Sequence, residues 1–286
     1  MPETIEQQPG SPFTSEEAIV LKALARTPEK KWWGDYRFLI ALFAFLLSLF
    51  TSLISAYVSH LRDVHDQQSR FTVALGALQD LNLKRVELLK QYRNTVYEGQ
   101  VSELITTQVN DALHTAAELG LQLGTNASTT DLVGLATRLY DTGESATAEK
   151  LLKFALGAAK NANDESLALR ALGFYTIRMG RGSTALKTGE GYFERALDLD
   201  QKYDLADHPH LVAWIRSSAQ IGWAGALAPT DCAAAQKHFG KGVKILAGAP
   251  KSINFDRARA GAKQQWITGI GGVPGCRPDA GTSPLP

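Results

Sequence analysis

The sequence predicts an all-α protein, and three observations carry that expectation. Residues Phe38 to Leu61, FLIALFAFLLSLFTSLISAYVSHL, contain no Asp, Glu, Lys or Arg, and about twenty mostly apolar residues let a helix cross the hydrocarbon core of a bilayer. Beyond that run alanine and leucine abound while stretches rich in Val, Ile and Thr are absent. Apolar residues there recur at helical spacing, in paired segments joined by glycine-containing turns. The expected architecture is a single transmembrane helix, a helical stalk and an array of α-hairpins. The boundaries read as a tail over 1–36, the span over 37–60, the stalk over 61–123, the hairpins over 130–268 and a Gly/Pro-rich tail over 269–286.

The N-terminal tail and the span set the expected orientation. Trp32, Trp33 and Tyr36 at one end of the apolar run and Tyr57 at the other fit the aromatic belts of the two headgroup regions. With 37 residues ahead of the run, an uncleaved anchor fits better than a signal peptide. Lys22, Arg26, Lys30, Lys31 and Arg37 precede it, against only Arg62 and Arg70 shortly after. The N-terminus should then stay cytoplasmic, with the C-terminal domain extracytoplasmic in a compartment such as the periplasm. The reverse orientation would make the domain a cytosol-facing sensor or docking subunit of a membrane complex. Ala41, Ala44, Ser48, Ser52, Ser55 and Ser59 recur every three or four residues, a small-residue stripe on which a second transmembrane helix could pack. Equally, each serine is tolerated alone in a membrane helix.

From Leu61 to about Tyr97 the pattern stays helical. A heptad places Leu61, Gln68, Leu75, Asn82, Leu89 and Val96 at one seam position and Val64, Phe71, Leu78, Arg85 and Tyr92 at the other. Eight of these eleven are apolar, which fits either a coiled coil joining copies of the chain or an amphipathic helix lying on its own domain. Extended back into the span, this register leaves Ser48 and Ser55 off the seam, so one straight helix cannot use both stripes against one partner. Gly99 is expected to end the stalk. Val101 to Leu123 forms the next helix, and Thr130 or Asp131 is the expected N-cap after a loop from Gly124. Asn126-Ala-Ser128 in that loop matches the N-glycosylation acceptor pattern.

The hairpins follow. Leu132, Leu135, Ala136 and Leu139, a turn at Asp141-Thr-Gly143, then Ala148, Leu152 and Ala155 form the first. Leu169, Leu172 and Gly173, a turn at Met179-Gly180, then Gly189, Phe193 and Ala196 form the second, with about four extra residues near Arg181-Gly-Ser-Thr184. A third starts at Pro209, runs through Trp214, Ile221 and Trp223, turns at Ala228-Pro-Thr-Asp231 and continues through Ala235, Phe239 and Gly242. A helix from Ile253 to Trp266, with Arg257, Arg259 and Lys263 on a polar outer face, would cap the array. Small residues let helices approach and large ones fill between layers.

These residues resemble the tetratricopeptide repeat, a helix-turn-helix unit of about 34 residues, with leucines replacing the usual aromatics. The resemblance covers residues 130–270 and implies protein or peptide binding on a concave face lined by the first helix of each hairpin. Carrying over the family's groove positions gives Val133, Thr137 and Tyr140, then Arg170, Phe174, Ile177 and Arg178. Arg170 and Arg178 flanking Phe174 would suit a carboxylate beside an apolar anchor.

Other chemistry finds little support. A net charge of +1 in 286 residues offers no clustered basic excess for nucleic acid. His208, His210, Asp204 and Asp207 read more simply as a helix start at Pro209 than as metal ligands. Gly269 to Gly275 resembles a phosphate loop, but no strand precedes it. No enzyme, metal or cofactor is expected. Cys232 and Cys276 lack zinc-site spacing. An antiparallel return of the capping helix would bring Cys276 back to Cys232, and a disulfide there would require an oxidising compartment and hence the exported orientation.

Overall fold

A computed structural model describes residues 36–249 and Cys276. The basic flank of the tail, Trp32, Trp33, the capping helix and the Gly/Pro-rich tail other than Cys276 lie outside the described residues. Among those described, nine α-helices and one 3₁₀ turn form with no strand. They are α1 (Tyr36–Gln91), α2 (Glu98–Leu123), α3 (Thr129–Asp141), α4 (Ser145–Ala158), α5 (Ala162–Met179), α6 (Gly182–Leu197), α7 (Leu199–Lys202), α8 (Pro209–Leu227) and α9 (Cys232–Gly248). The chain divides into two units at Leu61.

In the first unit, α1 is long and apolar enough to cross a membrane. Its most apolar window has a mean hydropathy of 2.1 and none of it is buried. Phe43, Phe50 and Leu53 are exposed. The hydroxyls turn inward on their own helix: Thr51 donates to the Ser48 carbonyl and Ser59 to the Ala56 carbonyl, each at 2.9 Å.

In the second unit, the stalk is part of the domain. Phe71 and Leu78, two of the heptad seam residues, are buried with Val109, Leu113 and Ala116 of α2 and with the leucines of α3 and α4. The amphipathic-helix alternative therefore describes this stretch, and Phe71 and Leu78 are not free to face a second copy. Asn82, a polar seam position, donates to the Leu78 carbonyl of its own helix at 2.7 Å. The expected break at Gly99 is displaced, because Gly99 lies inside α2. The chain turns between Gln91 and Glu98, where Asn94 takes a left-handed φ of 62° and its backbone N–H donates to Glu98 at 2.7 Å. Asn tolerates that conformation better than most residues.

The hairpins pair α3 with α4, α5 with α6 and α8 with α9, and the first helices α3, α5 and α8 pack in succession. The start of α3 also differs from expectation. It begins at Thr129, two residues ahead of Asp131, and Ser128 holds the cap position without a side-chain bond. Gly143, at a φ of 89°, makes the turn into α4. The extra residues of the second hairpin are absorbed into α6, which starts at Gly182. Between α6 and α8 the segment that carries α7 is pinned to α5: Glu165 accepts from Lys202 Nζ at 2.6 Å and from the Tyr203 hydroxyl at 2.7 Å.

Close packing follows the small residues. Ala136, Ala148 and Ala155 are fully buried in the first hairpin. A Cβ on Gly173 would lie 2.9 Å from the Gly189 carbonyl, and one on Gly189 equally close to the Gly173 carbonyl, so α5 and α6 cross backbone to backbone. The central helix α5 supplies all three main clusters: Leu172 and Tyr175 to the first hairpin, Leu169 to the α7 segment and α8, and Ile177 to the last hairpin.

Candidate functional site

The helical spacing of α5 places Arg170, Phe174 and Arg178 on one face, one turn apart. Arg170 is half-buried, and its Nε donates only to the Ser166 carbonyl of its own helix, at 3.3 Å. Burial pulls its guanidinium down to about 10. Among the described residues, no carboxylate forms an ion pair with it. Arg178 is exposed, with its guanidinium carbon 5.8 Å from the Phe174 ring centre, a cation–π distance.

The row continues onto α3. Phe174 meets Tyr175 edge to face, at 5.1 Å between centroids and 83°. Tyr175 in turn stacks on Tyr140 at 3.8 Å and 7°. Burial, then Glu149 and Tyr175, push the Tyr140 phenol up to about 12. Burial also raises Tyr175, a hydrogen bond with Thr137 opposes the rise, and Asp141 adds to it. Both phenols stay neutral at physiological pH. On the α8 side the close neighbour is Gly225, where a Cβ would sit 3.5 Å from Phe174.

Of the seven groove residues named from the sequence, five gather here: Thr137, Tyr140, Arg170, Phe174 and Arg178. The other two do not. Val133 is buried in the same cluster as Tyr140 but makes none of the ring contacts of this row. Ile177 points at α6, where its Cγ1 would lie 2.5 Å from a Cβ on Gly189, so it belongs to the hairpin's own interior. Tyr175 was missed, although its spacing from Ala168 and Leu172 marks it as a core position facing α3. No protein-family model, curated protein or solved structure matches the chain. Its function must be read from these residues.

A second constellation lies in the last hairpin. Trp223 stacks on Phe193 at 5.6 Å and 7°, and on His238 at 4.0 Å and 27°. Nδ1 of His238 lies 2.7 Å from the Gln220 amide oxygen. Cys232 and Cys276 are joined by a disulfide with Cα atoms 5.3 Å apart, and Cys276 is fully buried in the Trp223 cluster. Among the described residues, no three His, Cys, Asp or Glu side chains are placed to hold a metal ion. Asp204 instead serves the loop, adopting a φ of 48°.

Proposed function

We propose that the chain is a single-pass, membrane-anchored scaffold of tetratricopeptide-like hairpins that binds a protein or peptide partner along the α3–α5 face, outside the cytoplasm. The observation that carries this reading is Arg170. A guanidinium partly withdrawn from water without a carboxylate costs free energy, and a partner's acidic side chain or C-terminal carboxylate would offset that cost. Phe174 offers the apolar anchor beside it, and exposed Arg178 a second, more solvated charge. Support for the anchor comes from the exposed apolar length of α1. Support for the exported side comes from the Cys232–Cys276 bond, which persists in oxidising compartments. A second copy would be expected to meet the chain through the Ala41–Ser59 stripe, since Phe71 and Leu78 are already covered.

The test compares partner capture by the full chain in nanodiscs with capture by Arg170→Ala/Arg178→Ala. Loss of one reproducible partner is expected, with exposed Arg178→Glu alone giving a partial loss. Capture unchanged in both variants would refute the assignment of this face.

A further inference from the structure

A cleft of about 420 Å³ separates α1 from α3. Leu75 and Leu78 of α1 and Leu135 of α3 give it an apolar lining, while Asp131 and Arg138 of α3 supply its charges. Two glycines keep it open: a Cβ on either Gly76 or Gly134 would meet nothing within 4 Å. The helices leave a space here that ordinary side chains would fill.

Arg138 is the unusual member. Its Nη1 is buried and makes no hydrogen bond, and among the described residues Arg138 forms no ion pair. Folded proteins rarely leave a buried donor unmet, and a charged one least of all. Asp131 also lacks a cation among those residues. It lies seven residues earlier on the same helix, a rise of roughly 10 Å. One face of the cleft thus presents a carboxylate and a guanidinium at its two ends, with leucines between.

We propose that this cleft binds a short apolar peptide with free termini, its carboxylate on Arg138 and its ammonium on Asp131. An extended chain advances roughly 3.3 Å per residue, so a tripeptide matches the separation. The volume falls at the small end of ligand pockets, which run from roughly 300 Å³ upward. A fatty acid would satisfy Arg138 but bring its tail against the Asp131 carboxylate, so the pair of opposite charges selects a zwitterion. This site uses different side chains from the α3–α5 face and does not depend on that reading.

Calorimetric titration of Ala-Leu-Ala into the full chain in nanodiscs tests it. Saturable binding is expected. It should weaken by about tenfold or more when the peptide carries a C-terminal amide, or when Arg138→Gln removes the charge. Asp131→Asn should weaken binding of the free peptide but leave the N-acetylated peptide unaffected. Gly76→Val, chosen to fill the cleft without touching either charge, should abolish binding while helix content by circular dichroism is unchanged. The proposal is overturned if no binding occurs at about 1 mM peptide, or if Arg138→Gln binds as well as the native chain. It is equally overturned if dodecanoate binds in an Arg138-dependent way and the tripeptide does not.

Discussion

The hairpins α3–α4 and α8–α9 carry the same small-large-small pattern but are held together by different physics. In the first, Leu139, Leu151, Leu152, Ala136 and Ala155 are all fully buried, and a long-range polar bond inside runs from Thr129 to the Ala155 carbonyl at 3.1 Å. In the last, an indole lies against a histidine and a phenylalanine, in a cluster that also holds a disulfide-bonded cysteine. Burial of aliphatic surface responds little to protons or reductants. An imidazole and a disulfide respond to both. One repeat-like pattern therefore builds a hairpin indifferent to its surroundings and another that reports on them.

The largest effect should come from breaking the indifferent hairpin. Leu151→Ala at a fully buried site is expected to cost about 2–5 kcal/mol through lost contacts and a residual cavity. Hydrogen exchange of the full chain would show faster opening of α3 and α4. The loss should be equal with or without dithiothreitol, and equal at pH 7 and pH 5. A dependence on either condition would mean that the two hairpins open together.

Reduction should act on the last hairpin. Cys232 and Cys276 are 44 residues apart, and closing a loop of that size contributes about 3–4 kcal/mol on the chain-entropy account. Dithiothreitol, or Cys232→Ser, is expected to speed exchange in α8 and α9 and leave α3 and α4 unchanged. Equal loosening of both hairpins would collapse the distinction.

Acid should act there too, more weakly. Burial first, then the charges of Lys241 and Lys237, hold His238 down near about 4, against an ordinary value of 6.5. The unfolded chain therefore takes up this proton first. Stability attributable to the neutral ring is complete above 6.5 and declines as pH falls toward 4. The slope should be shallow because the ring is only half-buried, and His238→Phe, which keeps a ring on Trp223, should flatten it. Glu165 occupies a separate window. Burial alone would raise its carboxyl, but the bonds from Lys202 and Tyr203 and the charges of Lys202 and Arg195 win and hold it below 4.5. Its contribution is present above that value and lost as pH falls through the depressed one. Glu165→Gln should change only that more acidic limb.

What could be read from the sequence follows how local each feature is. Gly143, Pro209 and Asp231 mark helix ends because turn and cap preferences depend on a few neighbouring residues; the Asp231 side chain caps α9 by accepting from Ala234 N–H at 2.9 Å. Gly173, Gly189 and Gly242 could be read as close-approach points because glycine at a packing position has few other uses. The packing of Phe71 and Leu78 was not decidable. A heptad stripe says that one face is covered, not by what, and the partner helices begin tens of residues later. Ile177 failed for a similar reason: groove and hairpin interior lie one residue apart on α5. The Arg138 cleft had no local signal, since its two walls come from distant parts of the chain.

The smallest effect concerns Trp223, and its size tests whether polar groups in the last hairpin are matched. The indole Nε1 is buried without a hydrogen-bond partner, an omission that costs about 1–3 kcal/mol. Trp223→Phe removes that donor but also removes part of a large ring packed on Phe193 and His238. The two terms oppose each other, so a net change within about 1 kcal/mol is expected on urea unfolding. Leu139→Val in the first hairpin removes no polar atom, so at this fully buried site it should cost about 1 kcal/mol outright. If Trp223→Phe instead cost well over 2 kcal/mol, the indole N–H would have an acceptor in solution. The last hairpin would then hold no unmet donor at this ring, while the first keeps one at Arg138 Nη1, and its disulfide and histidine would set it apart.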